Sequence, residues 1–130
     1  MKLFLCSHFS SVGSLIKEEI ENKKVAFIPT ASLREGYTGY VGSARKLFKK
    51  LGAIVTEIDI STEAYSTIQS VFEEADVIYF TGGNSFFLCF IQSLSVAFYG
   101  RWQSHDLGEL VQQFLAAVSD HHAFAPVVLH

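Results

Sequence analysis

The sequence predicts an α/β fold in which a mostly parallel sheet lies between two layers of helices. Three observations carry that expectation. Short apolar or alternating runs rich in β-branched and aromatic residues recur at Lys2–Cys6, Lys24–Ile28, residues 54–60 and Val77–Phe80, and such runs suit strands. Segments whose apolar residues repeat at helical spacing stand between them, and strands alternating with helices imply parallel pairing. The runs end on residues that break regular structure, among them Pro29 and the pair Gly82-Gly83.

Residues 2–6 form the first expected strand. A polar loop over residues 7–14 follows and carries His8 at the strand's carboxyl end, the edge where ligands bind in open α/β sheets. His8 is a candidate ligand contact there, with plain surface as the alternative. A helix then runs to about Asn22, with Ile16 and Ile20 one turn apart on its inward face. Lys24–Ile28 is the second strand, ended by Pro29, which has no N–H for a ladder. Thr30-Ala31-Ser32 lies at the same edge, where its hydroxyls suit capping of the next helix. That helix is expected over residues 37–51, with Val41, Ala44, Leu47, Phe48 and Leu51 on one face. Arg45, Lys46, Lys49 and Lys50 load its later turns, as the macrodipole favours, and Gly52 terminates it.

Residues 54–60, I-V-T-E-I-D-I, alternate as a third strand. A helix over residues 61–75 follows, capped by Ser61 or Thr62 and turning Ile68, Val71 and Phe72 inward. Val77–Phe80 is the fourth strand, an unbroken apolar run that opens into Thr81-Gly82-Gly83-Asn84. Two glycines let the backbone bend sharply and leave N–H groups uncovered. Asn84 or Ser85 caps a helix beginning at Phe86, Phe87 and Leu88. A strand, a Gly-Gly turn and a helix start together make a site for negative charge: a carboxylate, a phosphate or a developing oxyanion. The plainer alternative is a tight βα turn that binds nothing. Further on, residues 107–118 have a helical pattern and residues 124–129 suit a last strand.

At 130 residues the chain is expected to be a single domain with a full core. A composition of 49% apolar and 18% charged residues marks it as globular. A net charge of −3 with no basic patch argues against nucleic acid as a partner. Cys6 and Cys89 both sit in apolar runs and read as buried thiols of a reducing cytosol, with a disulfide as the alternative. With no signal-peptide run and no apolar stretch of about 20 residues, a cytoplasmic protein without a membrane partner is expected. Neither G-x-G-x-x-G nor G-x-x-x-x-G-K-[ST] occurs, so no nucleotide motif and no cofactor is indicated. Asp120-His121-His122, with His130 beyond, invites a metal reading, but adjacent histidines on regular structure point apart and no second cluster has ligand spacing; no metal is expected.

The stretch 81–88, T-G-G-N-S-F-F-L, resembles the G-G-N-[ST]-F-x-L signature of the S51 serine peptidases, the family of aspartyl dipeptidase (peptidase E), with cyanophycinase a more distant relative. M-K-L-F-L-C-S at the start and V-A-F-I-P-T-A-S in the second strand fall in the family's order. The resemblance covers residues 1–88 and leaves 89–130 as a divergent tail. It implies a three-layer sandwich, flavodoxin-like or class I glutamine amidotransferase-like, and a small peptide as substrate. It also implies that a serine on a strand-to-helix elbow attacks the scissile carbonyl, with a histidine and an acid behind it. Carried over by position, Gly82 and Gly83 would contact the oxyanion and Asn84 would shape the site, with the Thr30–Ser32 loop near the cleft.

The family's nucleophile elbow is missing: no G-x-S-x-G occurs in the chain. Tyr40-Val41-Gly42-Ser43-Ala44 imitates it, but Arg45 stands where the turn needs glycine, and the flanking periodicity is helical. Ser104-His105-Asp106 holds the three residue types, yet sequence neighbours do not face each other as a triad. Ser85 has no matched base and reads as a cap. All seven lysines lie at or before Lys50, while four of five histidines fall after residue 104, so composition shifts where the resemblance stops. The expectation is a truncated or frameshifted, inactive S51 member with no catalytic residue of its own and a C-terminally incomplete fold. Two other readings are an anion-binding flavodoxin-like module and a self-associating domain, a homodimer, whose open sheet edge invites pairing.

Overall fold

In the chain's structure, a computed structural model, residues 2–33, 36, 38–82 and 125–129 are described. The strands are β1 (Lys2–Cys6), β2 (Lys24–Ile28), β3 (Ile54–Glu57), β4 (Val77–Phe80) and β5 (Ala125–Leu129). The helices are α1 (Phe9–Val12), α2 (Lys17–Ile20), α3 (Gly39–Lys50) and α4 (Tyr65–Glu74), with 3₁₀ turns at Gly13–Ile16 and Thr30–Ser32. The sheet order is β1-β5-β4-β2-β3. β2 pairs in parallel with both β3 and β4, whereas β5 runs antiparallel to its two neighbours, β1 and β4. Four strands therefore share one direction and β5 opposes them, which makes the sheet mostly parallel, as expected.

Alternation along the strands sends successive side chains to opposite faces. Val25, Phe27, Val77, Tyr79, Val127 and Leu129 join Phe9, Ile16, Ile20, Val41, Ala44, Phe48 and Leu51 in one buried cluster. The first three helices thus cover one face. Ala26, Ile28, Ile78 and Phe80 point the other way and are buried on the side of α4, which turns Ile68 and Phe72 inward. The centre of the first layer is aromatic: Phe48 stacks on Phe9 with ring centroids 4.4 Å apart and meets Tyr79 edge-on at 5.1 Å.

Several local expectations change in detail. Residues 7–14 are not a loop: α1 begins at Phe9, because that ring is buried against Phe48, and the helix to Asn22 is broken by a 3₁₀ turn. α3 starts at Gly39 and ends as foreseen. Gly52, at φ 83°, and Ala53 donate to the carbonyls of Lys49 and Phe48, a Schellman closure that needs the left-handed conformation. β3 stops at Glu57, and α4 begins only at Tyr65, since Ser61 and Thr62 bond to Asp59 in the connecting turn instead of capping the helix. Asp76 joins β4 to β2 by accepting from the Lys24 N–H at 3.1 Å.

Candidate active site at the carboxyl edge of the sheet

β2, β3 and β4 end at one rim, and β1, which shares their direction, ends there too. The path from β2 to β3 runs through α3 on one face, and the path from β3 to β4 returns through α4 on the other. Adjacent strands that send their connections to opposite faces open a crevice at their carboxyl ends. In this chain hydroxyls line that crevice. Thr30 donates to Asp59 Oδ1 at 3.0 Å and accepts from the Ile60 N–H at 3.0 Å. Asp59 Oδ1 also accepts from the Ser61 hydroxyl at 2.6 Å and the Ser61 N–H at 3.0 Å. Burial alone would raise the Asp59 carboxyl, but the bonds from Ser61, Thr30 and Thr62 together outweigh it and hold the group below its ordinary value.

Beside them, β4 ends and the chain continues through Thr81 to Gly82. The Thr81 N–H donates to Ile28 and continues the ladder for one residue. Its hydroxyl donates to Ser32 Oγ at 3.2 Å, and Ser32 in turn donates to the Pro29 carbonyl at 2.7 Å. Both side chains are buried, and they fasten the strand end to the 3₁₀ turn after β2. From the other side the Tyr40 hydroxyl, on α3, donates to the Gly82 carbonyl at 3.1 Å. Gly82 is therefore held by elements on both flanks. Gly83 and Asn84, the other two expected site residues, lie outside the described residues, as do Ser85, Cys89 and the His121-His122 cluster.

Burial pushes the Cys6 thiol up to about 11 and the Tyr79 phenol above its ordinary value, the latter helped by neighbouring Cys6 and Tyr40. Both stay protonated at neutral pH, so neither is a ready nucleophile. His8 is exposed at the end of β1 and does meet a serine: its Nδ1 lies 2.7 Å from Ser10 Oγ and 3.4 Å from Ser11 Oγ. That pair is local to α1. No carboxylate among the described residues orients the imidazole, and two strand spacings, about 10 Å, separate the end of β1 from that of β4. Ser43, in the elbow-like segment, sits inside α3 and donates to Gly39 four residues back, which is ordinary helix geometry. Among the described residues no group of His, Cys, Asp or Glu is placed to hold a metal ion.

Residues 5–95 match the model of Peptidase family S51. The chain belongs to this family. The match extends a little past Leu88, the last residue of the motif quoted above. This S51 chain is 45% identical over 89 residues to an uncharacterized peptidase of Listeria monocytogenes serovar 1/2a and 42% identical over 90 residues to one of Pasteurella multocida Pm70. These alignments take in 66% and 67% of the chain but 43% and 44% of the relatives, so the match spans less than half their length. A solved structure from L. monocytogenes EGD-e, provisionally assigned as a peptidase E, superposes with a TM-score of 0.64 at 36% identity, over 90% of this chain and 55% of that one.

Two of the groups at this rim are not singled out by sequence reasoning. Asp59 read as an outward residue of an alternating strand, and Tyr40 only as part of a rejected motif. Tyr40 carries no local signal, because its partner stands 42 positions away; Asp59 has a local partner in Ser61, two residues on, but its bond from Thr30 spans 29 positions. Among the described residues no helix is long and apolar enough to cross a membrane.

Proposed function

We propose that these 130 residues present the oxyanion side of an S51 serine dipeptidase scaffold and do not themselves hydrolyse peptides. In this reading the N–H groups of the Gly82-Gly83 turn receive the negative charge of a carboxylate or a tetrahedral oxyanion, and Asn84 shapes the space beside them. The observation that carries it is the family match over residues 5–95, in which the Gly-Gly pair comes one residue after β4, in a sequence without G-x-S-x-G. A backbone donor site lowers a barrier only if a nucleophile attacks the same carbonyl, so the turn alone binds without cleaving. The partner is a small peptide bearing a carboxylate, and the setting a reducing cytoplasm.

The test is hydrolysis of an Asp-X dipeptide by the pure chain. The expected result is a rate equal to the buffer blank. Cleavage above blank that disappears in Gly83→Trp would overturn the proposal, because that variant blocks the turn and leaves contaminating peptidases untouched.

A further inference from the structure

We propose that β3 is a self-association edge, at which two copies of the chain join their sheets by antiparallel pairing of Ile54–Glu57 about a twofold axis at Val55. Among the described residues β3 stands at one end of the sheet order and has β2 as its neighbour. The Ile54 N–H donates to the Lys23 carbonyl, and the Ile58 N–H donates to that of Phe27. A trans peptide points its C=O opposite to its N–H, so the Ala53 and Glu57 carbonyls face away from β2. Polar groups alternate along a strand, which turns the N–H and C=O of Val55 outward as well.

Edges that stay single are ordinarily guarded by proline, lysine, a bulge or a free charge. β3, I-V-T-E, holds neither proline nor lysine, and its register with β2 runs unbroken. Its one charge is engaged: Glu57 accepts from Arg45 Nε at 2.8 Å and Nη2 at 2.7 Å, which draws it toward α3. The strand at the other end of the sheet, β1, opens on a lysine, Lys2. Ile54 is 57% exposed, an apolar side chain left open beside an unguarded edge. With the axis at Val55, Ile54 of one copy lies beside Thr56 of the other on the α4 face, and Val55 meets its own counterpart on the α3 face. Such β-branched pairs stabilise an antiparallel ladder. The Val55 groups exchange bonds across the axis, and each Glu57 N–H meets an Ala53 carbonyl. The Ala53 N–H is already given to Phe48, so the ladder stops there. An axis at Thr56 would set the two Glu57 carboxylates diagonally across from each other, whereas the axis at Val55 keeps them at opposite ends. A pair of four-residue strands buries less than the roughly 800 Å² per partner of a stable interface, so the dimer is weak, with Kd about 10–100 µM.

Sedimentation equilibrium of the whole chain over about 5–500 µM brackets that range. The weight-average mass should climb from 14.4 kDa toward twice that value, and a mass fixed at 14.4 kDa throughout overturns the proposal. Val55→Pro removes an outward N–H and spares the bonds to β2, so it should stay monomeric with the circular dichroism of the wild type. Association equal to that of the wild type would place the contact elsewhere and overturn the proposal too. If Val55→Pro does not fold, Ile54→Lys, at an exposed position, takes its place and should raise Kd at least about tenfold; an unchanged Kd is equally fatal. The register is read from Val55→Cys under mild oxidation. Opposed residues there have Cα atoms about 5.5 Å apart, within disulfide reach. Peptide mass mapping should find position 55 of one copy linked to position 55 of the other, a species absent from oxidised wild type. A dimer without that link overturns the axis at Val55.

Discussion

Asp59 shows how one carboxylate can be enlisted by a fold whose sequence gives it no special place. A single oxygen accepts from Thr30, at the end of the neighbouring strand, and from the hydroxyl and N–H of Ser61. Such bonds favour the ionised form, and the native carboxyl lies below its ordinary value of 3.8. A group whose native value is depressed contributes stability that is fully present above 3.8 and is lost as pH falls through the native value, because over that window the unfolded chain binds the proton more readily. Asp59→Asn should therefore be less stable than the wild type at neutral pH, with the gap between their urea midpoints shrinking as pH is lowered below 3.8. A gap that stays constant down to acid pH would mean that the charge on Asp59 does not matter to the rim.

At the level of elements, the first helical stretch shows packing overruling propensity. Gly13 interrupts a run that would otherwise be continuous helix, and replacing a helical glycine by alanine ordinarily stabilises by about 1 kcal/mol. Here a Cβ on Gly13 would lie 2.6 Å from Phe9 Cζ and 2.8 Å from Leu47 Cδ2. The Phe9 ring is stacked on Phe48 and tilted against Tyr79, so it has nowhere to retreat. Gly13→Ala should destabilise by about 1–3 kcal/mol, the usual cost of overpacking a filled core. Chemical denaturation of the variant checks the sign, which helix propensity alone would predict the other way. Other elements were plain beforehand. β4 is four apolar residues, all buried, and Gly52 closes α3 where the lysine-rich turn ends. Where bounds moved, a side chain had found a partner outside its own segment: Phe9 drew α1 forward into the core, and Asp59 kept Ser61 and Thr62 from capping α4.

For the molecule as a whole, β5 decides the arrangement of the sheet. It enters between β1 and β4, pairs with both, and runs against them. Its residues Val127 and Leu129 belong to the same buried cluster as α3. Pro126, which lacks an N–H, falls beyond the residues of β5 that pair with β4. Val127 is fully buried, level with Phe4 on one side and Tyr79 on the other. Val127→Asp would place an unpaired charge at the centre of the sheet and should cost about 3–5 kcal/mol. If the urea midpoint of that variant matches the wild type, β5 is not an integral strand.

Local pattern was enough for the strands, the layered α/β class, the break at Pro29, the closure of α3 at Gly52 and the family motif after β4. Each of these follows from what a few adjacent residues require of their own backbone: apolar alternation, a missing N–H, a tolerated left-handed angle. The insertion of an antiparallel β5, the grip of Thr30 on Asp59 and of Tyr40 on Gly82, and the packing of Phe9 against Phe48 are of another kind. They join residues tens of positions apart, and which of those meet depends on strand order and on the face each connection crosses. No periodicity within a segment encodes that.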